Sequence, residues 1–200
     1  MIIALAIPAY RQQVNVRTAY AWAQDALTAT QLGWSPMLVW VDNSGIARAR
    51  NTIVDTALKG GARMLLMTDS DTFPLPMDGG LGRLWETMQK HDAAVVGAAV
   101  PTRNGRRMNC EPASPGETYE GEVGTAYMLL DLWKLRDVPK PWFVHRDSPD
   151  GLKVECGEDI YACRLFKSHG HRVVVDYGIA MGHADQHVSA TGDDGVRVSP

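Results

Sequence analysis

Met64-Leu65-Leu66-Met67-Thr68-Asp69-Ser70-Asp71 is a short apolar run that passes directly into two carboxylates. Four apolar residues and Thr68, bounded by a polar turn, predict a buried strand over Met64–Thr68. The same pattern recurs upstream. Met37–Val41 predicts a strand ending in Asp42-Asn43-Ser44-Gly45, and Ile2–Ile7 predicts another, closed by Pro8. Between them Val16, Tyr20, Ala23 and Leu27 recur at helical spacing until Gly33. Ser44 is the expected N-cap of a second helix carrying Ile46, Ile53, Val54 and Leu58, stopped by Gly60-Gly61. Successive strand–helix units imply parallel pairing with right-handed crossovers. Ligands of such sheets sit at the carboxyl ends of the strands. Pro8-Ala9-Tyr10, Asp42-Asn43-Ser44 and Asp69-Ser70-Asp71 are therefore expected along one edge.

Downstream, a turn rich in Pro and Gly (Pro74, Pro76, Gly79-Gly80) precedes a helix marked by Leu81, Leu84, Trp85 and Met88. Ala93–Val100 reads as a strand. Pro101 to Gly121 is polar and aperiodic, the pattern of a functional or mobile loop. Val123–Leu130 returns to strand character, and Asp131 is placed to cap a short helix before Pro139. Glu158–Ser168 reads as a helix and Val173–Val175 as a last strand. The expectation is one α/β domain over residues 1–188, with a mostly parallel central sheet flanked by helices. Residues 189–200 read as a flexible polar tail.

The chain has 200 residues, 45% hydrophobic and 22% charged, with a net charge of −3. That balance argues against a protein built mainly to grip duplex nucleic acid. No apolar run approaches the ~20 residues of a membrane span, and the N-terminal run lacks the basic flank of a signal peptide. Cys110, Cys156 and Cys163 form no Cys-x-x-Cys pair, so a reducing cytoplasm without structural zinc is expected.

Two carboxylates two positions apart at a strand exit suit a hard cation such as Mg²⁺ or Mn²⁺, with Ser70 pointing away and substrate phosphate completing the shell. The plainer reading is a capped turn. Glu158 and Asp159 open a helix, where a carboxylate serves either as a general base or simply as a partner of the helix dipole. His183 and His187 are four apart, but Ala184 replaces the Glu of a zinc-protease motif. His183 is a candidate cation ligand or a plain loop residue, and His187 a surface one. Arg50 is placed to bind phosphate or to face solvent. Arg103, Arg106 and Arg107 form a loop cluster, and Trp142 with Phe143 offers either a sugar platform or core.

As an ordered set these motifs resemble the GT-A fold glycosyltransferases, in particular the family 2-like group, over roughly Ile3 to His187. Ala6-Ile7-Pro8-Ala9-Tyr10 is similar to the first-strand motif that opens the nucleotide pocket. Val41-Asp42-Asn43-Ser44-Gly45 is similar to the motif whose Asp holds the base, although the family more often has Asp-Asp-Gly-Ser. Asp69-Ser70-Asp71 resembles the Asp-x-Asp that binds metal and the donor diphosphate. The stretch from Val123 through Gly124 to Leu129 looks like the strand bordering sugar and acceptor. Gly157-Glu158-Asp159 resembles the pair whose Asp is the base of inverting members, and Gly182-His183 the late His that completes the metal shell in some.

The resemblance implies a hexosyltransferase class of enzyme that uses Mn²⁺ or Mg²⁺ and a nucleotide-diphosphate sugar, a UDP-sugar first. Asp159, then Glu158, would be catalytic; Pro8, Ala9, Tyr10, Asp42, Arg50, Asp69, Ser70, Asp71 and Gly124 would bind the donor. Asp69, Asp71 and His183 would hold the metal. The acceptor expected is a saccharide or glycolipid hydroxyl, ahead of a hydroxymethylated base in phage-type DNA. The alternatives are a sugar-phosphate nucleotidyltransferase, whose Gly-rich loop after the first strand is missing from Pro8-Ala9-Tyr10-Arg11, and a non-catalytic nucleotide-sugar-binding module.

Overall fold

The computed structural model describes residues 1–42, 45–102, 108–111, 113–150 and 153–184. Strands β1 (Ile2–Ala9), β2 (Ser35–Asp42) and β3 (Met64–Thr68) alternate with helices α1 (Val16–Gln31) and α2 (Ile46–Lys59). After β4 (Thr72–Leu75) come α3 (Leu81–His91), β5 (Val95–Ala98), β6 (Thr118–Glu120) and β7 (Tyr127–Asp131). The chain continues through β8 (Arg146–Asp147), β9 (Val154–Cys156), α4 (Glu158–Ser168), β10 (Val173–Asp176) and β11 (Ala180–His183).

The central sheet has seven strands in the order β2-β1-β3-β7-β5-β10-β6. β1 pairs in parallel with both β2 and β3, as the strand–helix alternation predicts. β7 runs against β3 and β5, and β6 against β10, so the remaining strands share one direction. Strand alternation divides the core into two layers. Ile3 and Leu5 of β1 and Met64 and Leu66 of β3 pack with Ala29 of α1 and Leu81, Leu84 and Met88 of α3. Ala4, Ala6, Leu65 and Met67 face the other way, onto Ile53, Val54 and Ala57 of α2 and Ala162, Cys163 and Phe166 of α4. A strand covered on both faces needs an unbroken apolar run, which is why β1 and β3 were legible.

Several expectations shift. The turn expected around Pro74 is strand β4, which pairs with β11, an element without a sequence signal. Pro74 is tolerated because this is a separate two-stranded sheet with an open edge. The polar stretch from Pro101 to Gly121 contributes β6 at the sheet margin, too short to show a period. The strand expected from Val123 starts only at Tyr127. Trp142 and Phe143 are 1% exposed, so they are core and offer no sugar platform. Gly45 occupies the N-cap position of α2. Ser44, Arg103, Arg106, Arg107, His187 and the expected tail at 189–200 lie outside the described residues. Asp131 does cap the following turn, accepting from the Trp133 and Lys134 amides at 3.0 and 3.1 Å. The described cysteines are free, and no helix among the described residues is long and apolar enough to cross a membrane.

One buried acid joins the α1–α3 layer. Asp25, on α1, accepts from the Gly80 and Leu81 amides at 3.0 and 3.1 Å, so it caps α3 from another helix. The Tyr127 hydroxyl donates to it at 2.8 Å. At Gly80 a Cβ would meet Tyr127 Cε1 at 2.7 Å, which requires glycine there. Burial pushes the Asp25 carboxyl up to about 6, against the lowering effect of these hydrogen bonds. A raised carboxyl pKa means that the folded state holds a proton the unfolded chain has lost. Asp25 therefore lowers stability as pH rises from about 4 to 6, by roughly 3 kcal/mol at most. Asp25→Asn should gain stability relative to the parent across that window, read from urea midpoints at pH 4 and pH 7. An equal offset at both pH values would refute the ionisation.

Candidate active site

A cleft of about 640 Å³ opens at the carboxyl ends of β1, β2 and β3. Its walls come from Pro8 of β1, Val41 of β2, the first turn of α2, the Asp69–Asp71 turn, Gly124–Ala126, the start of α4 and His183 of β11. This is the edge that the parallel topology predicts for a ligand.

The Asp69–Asp71 turn is anchored from several directions. The Asp69 amide donates to the Ala126 carbonyl at 2.9 Å, Ser70 O accepts from the Asn15 amide at 2.8 Å, and Asp71 O accepts from the Ala184 amide at 2.7 Å. Ser70 and Asp71 lie in a turn and do not extend the strand, so the alternation expected to turn Ser70 away does not operate; Ser70 lines the cleft with both aspartates.

The two aspartates face different partners. Asp69 Oδ1 accepts from Arg50 Nη2 at 2.9 Å. Arg50 Nη1 pairs with Glu158 Oε1, and Glu158 Oε2 lies 3.2 Å from His145 Nε2. Arg50 is 4% exposed and Glu158 7%, so this is a buried chain of charges joining α2, α4 and the Asp69 turn. Both Nη atoms of Arg50 hold carboxylates where a phosphate clamp was expected, while its Nε has no partner. His145 had no signal, because no spacing connects it to Glu158 in the sequence.

Asp71 instead faces His183. Pairing of β11 with β4 sets His183 opposite Thr72 and brings its Nε2 to 3.4 Å from Asp71 Oδ2. His183 Nδ1 is 2.9 Å from the Pro101 carbonyl. A carbonyl only accepts, so Nδ1 donates to it and Nε2 faces the Asp71 carboxylate. The two groups meet either through a proton on Nε2 or through a cation held between them. Cis ligands of an octahedral ion at about 2.1 Å stand about 3.0 Å apart, close to the observed spacing. No group of three or more His, Cys, Asp or Glu suited to a metal occurs among the described residues. Any ion held by this pair would take its remaining ligands from water and substrate oxygens.

Asp159 lines the cleft at the second position of α4 and accepts from the Ile160 amide through Oδ1 at 2.8 Å. Neither α2 nor α4 has a side-chain cap hydrogen bond, so the first amides of two helices border this space. Gly124 lies where a Cβ would meet Asn109 Nδ2 at 2.6 Å. Asn109 Nδ2 and Thr125 Oγ1, both on the cleft wall, are buried without hydrogen-bond partners; neither residue stood out in the sequence.

Ala9 and Asp42 are not brought to this cleft. They line a second recess of about 350 Å³, where Asp42 Oδ2 accepts from Gln12 Nε2 at 2.8 Å. Tyr10 opens the 3-10 turn Tyr10–Gln12 that follows β1.

Solved structures share this architecture. A197 from STIV aligns over 100% of this chain and 98% of its own, at 14% identity and a TM-score of 0.65. A protein assigned as a glucose-1-phosphate thymidylyltransferase from Bacillus anthracis, in complex with sucrose, covers 94% and 92% at 13% identity and a TM-score of 0.55. UDP-glucose pyrophosphorylase complexed with UDP-glucose covers 88% and 90% at 11% identity and a TM-score of 0.50. The α/β fold, a central sheet flanked by helices, is shared with these structures. The sequence matches no protein-family model and no curated protein. Since fold and function are separable, activity has to be argued from the cleft itself.

Proposed function

We propose that the protein is a GT-A type glycosyltransferase of the hexosyltransferase class, moving a sugar from a nucleotide-diphosphate donor, a UDP-sugar first, to an acceptor hydroxyl. The observation that carries this reading is the sharing of one cleft by the Asp71–His183 pair and Asp159. Asp71 and His183 would hold Mn²⁺ or Mg²⁺ beside the diphosphate. When bound, the ion offsets charge on the departing nucleotide. The first turn of α2, which carries no acidic residue and no side-chain cap, favours the same anionic groups. Asp159 would take the acceptor proton as the hydroxyl attacks the anomeric carbon with inversion. Glu158, Arg50 and Asp69 would keep α4, α2 and the Asp69 turn in register, so Glu158 orients the site while Asp159 does the proton transfer. A carbohydrate or glycolipid hydroxyl is the proposed acceptor, ahead of a hydroxymethylated DNA base, which needs base flipping and the duplex affinity that a net charge of −3 disfavours.

A sugar-phosphate nucleotidyltransferase is the second reading, favoured by the fold likeness to the thymidylyltransferase and the pyrophosphorylase. Pro8-Ala9-Tyr10-Arg11-Gln12, the end of β1 and the turn after it, has no glycine to open a backbone phosphate cradle, which favours the first reading. Thermal-shift measurements with UDP and UDP-sugars should show stabilisation that grows when Mn²⁺ is added, because a ligand of the folded state stabilises it by mass action. Asp71→Ala should remove the metal-dependent part. Equal stabilisation in EDTA would refute the metal assignment. Release of pyrophosphate from UTP and glucose 1-phosphate, without transfer from UDP-glucose, would establish the second reading.

A further inference from the structure

Helix α1 carries apolar residues on two opposite sides. The side turned toward the sheet buries Thr18, Ala21, Asp25 and Ala29. On the other side Val16, Tyr20, Ala23 and Leu27 recur at helical spacing, and they face water. Val16 is 78% and Leu27 57% exposed, with Tyr20 and Ala23 exposed between them. An apolar stripe of that period normally packs against another element. The charged residues of α1 are Arg17 and Asp25. Asp25 is buried and Arg17 leans over the Phe73 ring of β4, so the outer stripe carries no charge.

The same surface continues onto β2, the terminal strand of the central sheet. Leu38 and Trp40 pair in register with Leu5 and Ile7 of β1. They therefore point to the α1 side of the sheet, as Leu5 does. Helix α1 does not cover them: both are exposed, Trp40 by 65%. Val14 before α1, Trp22 on α1 and Trp40 on β2 line one recess, so the surfaces of helix and strand meet there. The outer edge of β2 is paired with no strand among the described residues. Ser35–Val41 has no charged residue to guard that edge, and Pro36 is its one blunting feature.

We propose that the outer face of α1 and the adjoining edge strand β2 form the interface of a homodimer, each copy presenting this face to the other across a two-fold axis. Area and charge both select a second copy as the occupant. Helix α1 has 16 residues and β2 has 8, lengths of about 25 Å each, and a helix about 10 Å wide lies beside a sheet layer about 10 Å thick. The face is then about 500 Å² per copy, and two copies bury about 1,000 Å², the size at which a specific interface begins. An uncharged face is complementary to itself, because the two-fold axis sets no like charges opposite one another. A partner steered by charge would find none to pair with on the stripe. A lipid surface fits less well, since interfacial helices flank their apolar side with several Lys or Arg and α1 has only Arg17. Exposed Tyr20 and Trp40 supply aromatic anchors of the kind that dominate such contacts. No residue of α1 lines the cleft, so each copy keeps its own.

The test uses the whole chain under reducing conditions, with neither donor nor metal, so it stands or falls independently of the transferase reading. Sedimentation equilibrium from about 1 to about 300 μM should show a reversible monomer–dimer equilibrium that follows mass action. Leu27→Glu and Trp40→Glu should each weaken it by about tenfold or more, about 1.4 kcal/mol, because each carries an unpaired charge into the contact. Trp133→Glu, at an exposed apolar residue on the turn after β7, should leave it unchanged. All three residues are exposed, so the variants should fold, which unchanged urea midpoints verify. The proposal is overturned if the chain stays a monomer throughout this range, if Leu27→Glu and Trp40→Glu associate as the parent does, or if Trp133→Glu weakens association equally. Binding of the monomer to phosphatidylcholine–phosphatidylserine vesicles, lost in Leu27→Glu, would also overturn it by giving this face to a lipid surface.

Discussion

Asp159→Asn is expected to lower sugar transfer by about 10²-fold or more while leaving donor affinity intact. The amide keeps the size of the carboxylate and still accepts from the Ile160 amide through its carbonyl oxygen, so the first turn of α4 should keep its form. What it loses is the ability to take a proton from the acceptor. Donor affinity, read by calorimetry with UDP and Mn²⁺, should hold because Asp71 and His183 lie on other elements. A rate within a few-fold of the parent would remove Asp159 as the base. If Glu158→Gln then abolished transfer in a protein of unchanged stability, the proton would have to pass to Glu158.

The second large effect is on stability. Arg50→Met removes the cation that pairs with Glu158 and Asp69 in a site where Arg50 and Glu158 are both buried. Breaking a buried ion pair from one side typically costs about 3–5 kcal/mol, because the other charge stays desolvated. Urea unfolding should show a loss of that order. The double variant Arg50→Met/Glu158→Gln should recover a large part of it, since the neutral amide no longer needs the guanidinium. His145 Nε2 stays 3.2 Å from the other oxygen of Glu158 in the single variant. A cost below about 1 kcal/mol, the range of surface pairs, would mean that water reaches these groups freely.

Both predictions concern residues visible in the sequence, where only the resemblance put Asp159 ahead of Glu158 and no spacing separated them. Glu158 and Asp159 are neighbours at a helix start, and only their surroundings separate them: Glu158 is held by Arg50 and His145, while Asp159 bonds the Ile160 amide at the cleft. Likewise Asp69 and Asp71 read as twin ligands. Across the fold they separate, one to Arg50 on α2 and the other to His183 on β11.

Local physics determined the rest. Unbroken apolar runs at β1 and β3, helical periodicity in α1, α2 and α3, and the acidic start of α4 each depend on residues within a turn or two. They were sufficient for an α/β sheet with its ligand edge at the ends of β1, β2 and β3. Tertiary structure alone decided the partners. Arg50 and Glu158 are 108 residues apart, and His183 meets Asp71 only because β11 pairs with β4, two strands with no readable period. The recess beneath Asp42 depends in turn on which face of β2 α1 covers. Side-chain period is a property of a short segment, whereas the pairing of distant charges depends on how the layers close, and no spacing along the chain encodes that directly.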